Sequence, residues 1–475
     1  MNGKTKIVCT LGPSSRSEDA LVQLIQSGMD VARLNFSHGT YDDHLDALNN
    51  IQKAVQKTGE HVTVLQDLQG PKIRIGELGL PSIELKPGAL FTITTRPVPG
   101  SVDIVATPFA GFPTDVRPGD PILLDDGKIR LRVLRVNTTD VTSEVLVGGV
   151  LTSHKGINLP GVAISTPSLT EKDLRDLEFG LEHDIDYVAL SFVRTVDDIR
   201  ALRAAIAQRS HSGGSLPVIA KIEKPQAVAN IDALIEEADG IMIARGDLGV
   251  ELPPEDVPVV QKMIIKKCNR AGKPVIIATQ MLESMISSVT PTRAEASDVA
   301  NAVVDGGDAL MLSGETSVGA YPVEAVEIME RIIRKVESEH LTPAHTLESA
   351  FGGVQSRHDA LARAACVLAE QMDAAIVAVT RSGETARVVS RYRPRPGIIA
   401  VADRANILRR LSLIWGVDGM LIEGLNEDSD TALQKIQEKL VASGLLNHGQ
   451  YVVLLAGQPF FAQGSTNFIK VERIA

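Results

Sequence analysis

Eight short runs of β-branched and aliphatic residues, each followed by a polar or glycine-bearing turn and then a helical pattern, constrain this chain more than any other feature. They are Lys6–Leu11, Val31–Asn35, Val62–Asp67, Tyr187–Ser191, Pro217–Lys221, Gly240–Ala244, Pro274–Ala278 and Ala309–Leu312. Between them helices are predicted. Ser15 with Glu18 three residues on reads as a capping box, Leu21, Leu24 and Ile25 share a face, and Gly28 closes the element. Eight βα units make a (β/α)8 barrel the leading architecture, with a doubly wound open sheet second.

The interval between the third and fourth runs, from about Gly70 to Ser165, follows another pattern. It is rich in Gly, Pro, Thr and Val, and apolar residues alternate in Phe91-Thr-Ile-Thr and in Lys128-Ile-Arg-Leu-Arg-Val-Leu-Arg-Val. An inserted all-β barrel domain is expected there. A βα loop of a barrel opens on the active-site face, so the insert is placed to act as a lid. After about Glu339 a linker leads to a third region in which Ala375–Thr380, Gly397–Val401 and Tyr451–Gly457 read as strands among helices, an α/β domain. The expected division is 1–70 with 166–340 for the barrel, 71–165 for the lid and 341–475 for a C-terminal regulatory domain. A length of 475 residues agrees with about three domains at roughly 150 residues each.

Composition narrows the function. The net charge is −11 and aromatics make up only 3%, whereas a nucleic-acid groove wants basic residues and stacking rings. Cys9, Cys268 and Cys366 are odd in number and far apart, with no zinc spacing, which fits a reducing compartment. The N-terminus carries no apolar stretch long enough for a signal, and no run approaches a membrane span. A cytoplasmic protein without nucleic-acid or membrane partners is expected. GxxxxGK[ST], GxGxxG opening a βαβ unit, and HExxH are all missing, which disfavours P-loop, Rossmann and zincin chemistry.

Catalytic groups of such barrels sit at the carboxyl ends of the strands. Here those ends read Arg33-Leu-Asn35-Phe-Ser37-His38, Asp67, Lys221-Ile-Glu223-Lys224, Arg245-Gly246-Asp247, Thr279-Gln280 and Ser313-Gly314-Glu315. An isolated Lys-x-Glu is most often a surface ion pair, and Asp247 or Arg33 alone would pass as a turn residue or a solvated strand end. The accumulation on one rim is what matters. Two carboxylates with a Lys and an Arg suit a divalent cation and a phosphorylated anion, and Glu223 and Asp247 can supply the carboxylates that Mg²⁺ takes.

These residues lie in motifs that resemble the pyruvate kinase family along nearly the whole chain. The motifs are Thr5-Lys-Ile-Val-Cys-Thr-Leu-Gly-Pro-Ser, Ala32-Arg-Leu-Asn-Phe-Ser-His-Gly, Ala220-Lys-Ile-Glu-Lys-Pro, Ala244-Arg-Gly-Asp-Leu-Gly-Val-Glu, and Ala278-Thr-Gln-Met-Leu-Glu-Ser-Met followed by Pro291-Thr-Arg-Ala-Glu. The resemblance implies phosphoryl transfer from phosphoenolpyruvate to ADP, giving pyruvate and ATP, the final step of glycolysis. A Mg²⁺-dependent lyase or aldolase acting on phosphoenolpyruvate or pyruvate is the alternative, and a catalytically silent sensor would need a lost site residue.

By resemblance, Arg33 contacts the transferring phosphoryl group, Lys221 bridges phosphate and enolate oxygens, Glu223 and Asp247 hold Mg²⁺ with Mn²⁺ as a substitute, and the backbone of Arg245, Gly246 and Asp247 meets the substrate carboxylate. Thr279 stands near the carbon to be protonated, on a proton path through water. Asn35, His38, Arg74 and Lys172 are implied for the nucleotide, although Lys172 read without the family is a solvated residue opening a helix. Asn35, Ser37, Asp67 and the carbonyl of Leu68 match a K⁺ site, but Lys72 replaces a glutamate found in potassium-requiring members, so activity without K⁺ is expected. Thr380, Arg381, Ser382, Gly383, Glu384 and Thr385 match an effector-phosphate loop. The loop Ala456-Gly457-Gln458-Pro459-Phe460-Phe461 lacks the Trp and Arg of members activated by fructose 1,6-bisphosphate, which favours a sugar monophosphate or AMP. A homotetramer, and no further domain after Ala475, complete the expectations. The acidic total does not preclude anionic substrates, because charges are screened beyond about 8 Å; a local basic mouth of Arg33, Lys72, Arg74, Lys221 and the metal is expected instead.

Overall fold

The computed structural model describes residues 3–162, 164–210, 216–339, 356–423, 429–457 and 466–474. The linker after Glu339 and positions 458–461 of the late loop therefore lie outside the described residues.

Eight parallel strands close into a barrel: Lys6–Thr10, Val31–Asn35, Thr63–Asp67, Tyr187–Leu190, Val218–Ile222, Gly240–Ala244, Val275–Ala278 and Ala309–Leu312. Each pairs with its neighbours in chain order, and the first closes on the last through Lys6↔Ala309 to Cys9↔Leu312. The strands are buried almost throughout, which is why they read as continuous apolar runs. Val8, Val31, Leu65, Ile219, Met242, Ile276 and Met311 fill the interior. Ile7, Leu34, Val188, Ile222, Ile243, Ile277 and Leu310 face the surrounding helices. The first helix, Glu18–Gln26, is capped by Ser17, whose hydroxyl accepts from the Ala20 N–H. The expected Ser15 cap is not made, because the Ser15 hydroxyl accepts from the Gly12 N–H in the preceding turn, 3.1 Å away. Leu21, Leu24 and Ile25 are buried as the pattern requires.

At the amino-terminal ends of the strands a device recurs. Asp30, Asp186, Asp239 and Asp308 each directly precede an even-numbered barrel strand, and each carboxylate accepts a backbone N–H from the preceding odd-numbered strand: Ile7, Val64, Val218 and Val275, at 2.8–2.9 Å.

Between the third and fourth barrel strands runs an all-β insert. Its six-stranded sheet has the order Ile157–Asn158, Pro121–Leu124, Ile129–Val136, Asp140–Val147, Leu90–Thr94, Ile104–Ala106, and a two-stranded pair joins Gly149–Leu151 to Ile83–Leu85. Register shifts along Ile129–Val136 break the long hairpin, and both sheets share one core containing Phe91, Phe112, Ile122 and Leu131. The C-terminal region is a five-stranded sheet ordered Val417–Leu421, Ile398–Ala402, Ala375–Val379, Tyr451–Ala456, Phe468–Arg473, the last strand antiparallel, with an apolar core on each face. Two of its strands escape sequence reading: Val417–Leu421 contains Asp418 and Gly419, and Phe468–Arg473 is a polar edge. Leu413 of this region joins the cluster that fills the barrel, so the C-terminal unit plugs the barrel's amino-terminal end.

Candidate active site

The register of the barrel brings its polar strand ends together. Asn35 lies opposite Asp67, and Lys221 opposite Met242 one residue before the strand turns outward to Glu223. Lys221 is the hub. Its Nζ lies 3.1 Å from Asp67 Oδ1 and 3.0 Å from Glu223 Oε1, and it donates to Ser191 Oγ at 2.7 Å. Arg33 reaches the same carboxylate from the other side, its Nε 2.7 Å from Asp67 Oδ2, while its NH1 donates to Thr10 Oγ1 at 2.8 Å. All of these groups are buried.

Electrostatics follow from that packing. Burial works against the charged form of Lys221, but Asp67 and Glu223 outweigh it and hold the ammonium above its ordinary value. Burial also opposes ionisation of Asp67, yet Lys221 and Arg33 hold it below the usual carboxylate range. For Glu223, burial and the neighbouring Asp247 raise the carboxyl in spite of Lys221. One Glu223 oxygen accepts the Phe192 N–H at 2.7 Å. No hydrogen bond or ion pair engages the Asp247 carboxylate among the described residues.

Two cations, Arg33 and Lys221, therefore face three carboxylates, Asp67, Glu223 and Asp247. With all five ionised, this inner cluster carries one excess negative charge, which disfavours a phosphorylated anion, and a divalent cation reverses the sign. The donor set fits such an ion: oxygen ligands only, one carboxylate without a partner among the described residues and one raised by burial and by its neighbour. For the inner cluster a net positive charge thus depends on the metal.

Thr279 ends the seventh strand at φ 70°, followed by Gln280 at 56°. A β-branched residue in this region is costly, and such strain is held at functional sites by surrounding contacts. Here the Thr279 hydroxyl donates to the Ala278 carbonyl at 2.6 Å and accepts the Gly246 N–H at 2.8 Å. Arg245 gives its guanidinium to the carbonyls of Thr279 and Gln280 and to Asp298. Glu315, read as one of the rim charges, is buried and accepts the N–H groups of Leu282 and Ser313. It shapes two loops.

The implied nucleotide residues occupy one sector. Asn35 Oδ1 accepts the Ser37 N–H. Lys172 donates to the Phe36 carbonyl at 2.7 Å and pairs with buried Asp176 at 2.6 Å, so it is brought to the Asn35–His38 turn. Burial lowers the His38 imidazole pKa, as do Lys72, Arg74 and Arg33. Arg74 donates to the His154 carbonyl in the insert. Of the implied K⁺ ligands, Asp67 is engaged by Arg33 and Lys221, and the Leu68 carbonyl accepts from Ser191 Oγ at 2.7 Å. Lys72 is exposed, and with Asp126, Arg245, Gly246 and Asp247 it lines a cleft of about 550 Å³ between insert and barrel.

Comparison with known proteins decides the family. The pyruvate kinase barrel-domain model matches residues 2–326, and the pyruvate kinase alpha/beta-domain model matches 359–472. The chain is 46% identical over 482 residues to a pyruvate kinase of Geobacillus stearothermophilus, covering all of this chain and 81% of that protein. It is 44% identical over 475 residues to one of Mycobacterium tuberculosis, covering 100% and 99%. A crystal structure of a pyruvate kinase from Cryptosporidium parvum superimposes with a TM-score of 0.94 at 37% identity, covering 100% of this chain and 96% of that one.

The chain belongs to the pyruvate kinase family.

As a member of the pyruvate kinase family it is a phosphotransferase of glycolysis, and the family requires a divalent metal. Two contributors to the pyruvate kinase mouth escaped the sequence. Ser191 links Lys221 to the Leu68 carbonyl, and Asp173 holds the Gly70 N–H at 3.0 Å where the chain leaves for the insert. Neither carries a motif, although Ser191 stands at a strand end, where polar residues were already informative.

In the C-terminal domain, Thr380 Oγ1 accepts the Gly383 N–H at 2.9 Å, and Gly383, at φ 87°, opens the helix Glu384–Arg391. The Thr385 hydroxyl is occupied by Thr466, 2.8 Å away. Arg381 receives Arg404 on its carbonyl, and the Ser382 hydroxyl accepts the Glu384 N–H.

Proposed function

We infer that this protein transfers the phosphoryl group of phosphoenolpyruvate to ADP, giving pyruvate and ATP. The observation that carries the reading is the convergence of Arg33 and Lys221 on Asp67 beside Glu223 and Asp247 at the mouth of a pyruvate kinase barrel. A lyase or aldolase is not favoured, since the family match extends to the C-terminal domain.

Glu223 and Asp247 would hold Mg²⁺, or Mn²⁺ in its place, and the cation would supply positive charge for the anionic substrate. Arg33 presents its guanidinium to the phosphoryl group. Lys221, a compact buried cation, sits where charge passes from phosphate to enolate and stabilises both. The Gly246 N–H, now shared with Thr279, turns to the substrate carboxylate together with the backbone of Arg245 and Asp247. The Thr279 hydroxyl orders water for protonation of the enolate. Asn35, His38, Arg74 and Lys172 take the nucleotide phosphates, and the insert closes over them, excluding water that would hydrolyse the donor.

Lys72 replaces the free monovalent cation, so Asn35, Ser37, Asp67 and Leu68 need no K⁺. The Thr380–Thr385 loop receives a phosphorylated effector, a sugar monophosphate or AMP. The protein works as a cytoplasmic homotetramer. One assay tests the core of this reading: ADP-dependent pyruvate formation with saturating Mg²⁺ and tetramethylammonium as the only monovalent cation. Full turnover is expected. Activity that appears only when K⁺ is added overturns the role of Lys72, and no activity with K⁺ present overturns the function.

A further inference from the structure

Lys224 and Glu251 lie in the motifs that carry the family resemblance but have no part in the chemistry above. We propose that they form a buried clamp that fixes the spacing of Glu223 and Asp247, acting as positioning residues for the divalent cation; the proposal rests on the metal reading just given.

Glu223 and Asp247 come from different strands. Glu223 follows the fifth strand, and Asp247 rides on the short helix Arg245–Glu251 after the sixth. Lys224 follows Glu223 directly, and Glu251 lies four residues after Asp247, one turn along the same helix, so an ion pair between them joins the two carriers. That pair exists: Lys224 Nζ contacts Glu251 Oε1, with side chains only 9% and 1% exposed. The other oxygen of Glu251 is buried and has no hydrogen-bond partner among the described residues. Lys224 is thus the cation on which this carboxylate depends.

The same ammonium lies 5.8 Å from the centroid of the Phe192 ring. Phe192, held at φ 55°, donates its N–H to Glu223 Oε2 at 2.7 Å. Lys224 therefore touches the support of both candidate ligands, the Phe192 turn behind Glu223 and the end of the helix behind Asp247. The start of that helix is tied separately by Arg245 to Thr279, Gln280 and Asp298. Two carboxylates aimed at one point repel each other until a cation arrives. Holding their backbones in place beforehand is what outer-shell partners do for a metal, and losing such partners typically costs 10–100-fold in metal affinity.

The test is Mn²⁺ binding to the full-length protein, followed by electron paramagnetic resonance without substrates, with thermal unfolding in chelator measured alongside. Lys224→Met leaves Glu251 buried and uncompensated, so the informative variant is the double Lys224→Met/Glu251→Leu, which replaces the ion pair by apolar groups of similar size. Its Mn²⁺ dissociation constant is expected to rise about tenfold or more with little change in unfolding temperature. Lys224→Arg, which keeps the charge, is expected to retain most of the affinity. Wild-type Mn²⁺ affinity in the double variant overturns the clamp, and so does a variant that only unfolds earlier. Glu223→Gln separates the underlying reading: if it binds Mn²⁺ as the wild type does, the metal assignment itself falls.

Discussion

The two ends of the barrel bury similar charges and use them differently. At the amino-terminal end each aspartate has its own partners: one oxygen takes a strand N–H, and a cation stands at the carboxylate, Lys6 at Asp30, Arg409 at Asp186, Arg203 at Asp239 and Arg393 at Asp308. Arg393 and Arg409 come from the C-terminal domain, so the device that fixes strand register also docks that domain. At the mouth the charges converge instead. Lys221 serves Asp67, Glu223 and Ser191 at once, Asp67 serves both Lys221 and Arg33, and Asp247 is left without a partner among the described residues. At the amino-terminal end every aspartate is answered by an N–H and a cation, even where that cation is itself shared, as Arg409 is with Asp184; at the mouth a carboxylate is left over, which marks a place for a ligand. Burial of charge alone would not tell them apart.

The contrast breaks most visibly at Lys221. In the proposed mechanism Lys221→Met removes a charge placed for the transition state, a loss typically worth about 3 kcal/mol or more, so kcat is expected to fall at least about 10²-fold. A raised KM with kcat unchanged would show that Lys221 only binds substrate. The converse change is Arg393→Ala. It strands buried Asp308, which keeps the Val275 N–H, and removes a guanidinium lying 4.7 Å over the Trp415 ring. Breaking such a pair costs about 3–5 kcal/mol, read as a lower denaturant midpoint, while kcat of the folded enzyme at saturating substrate stays near wild type. Loss of turnover without loss of stability would place the amino-terminal cluster in the chemistry and undo the comparison.

The barrel was legible because both faces of each strand are buried, so the apolar runs stand out without alternation; Val31–Asn35 and Gly240–Ala244 agree residue for residue. The strand-end rule then located Arg33, Lys221, Glu223 and Asp247. What escaped was pairing between distant residues. Lys224 and Glu251 stand in separate motifs with nothing in either to join them, and their contact exists because neighbouring βα turns meet. Glu315 was visible as a charge at the rim, but its position beneath two loop amides was not. The aspartate before every even strand was open to view, in Met29-Asp30-Val31, Ile185-Asp186-Tyr187, Ala238-Asp239-Gly240 and Gly307-Asp308-Ala309. A single residue at a period of two βα units is too sparse to register as a repeat until the barrel brings the four positions to equivalent places.

The smallest expected effect separates Asp186 at one end from Asp67 at the other by pH. Burial pushes the Asp186 carboxyl up to about 6, although Arg409 and the Val64 N–H oppose the rise. Between the unfolded value near 4 and this folded value, the native protein keeps a proton that the unfolded chain has lost. Stability from this group is therefore full at low pH and is lost as pH rises through 6, the reverse of a salt-bridged carboxylate such as Asp67, whose depressed folded value makes its contribution disappear on acidification. Raising pH from 5 to 7.5 is expected to cost the wild type on the order of 1 kcal/mol more than Asp186→Asn, measured as the difference in urea unfolding free energy at the two pH values. Parallel pH profiles for the two proteins would mean that Arg409 keeps Asp186 ionised throughout. Asp186 would then titrate like Asp67, and the distinction between these two carboxylates would rest on geometry alone.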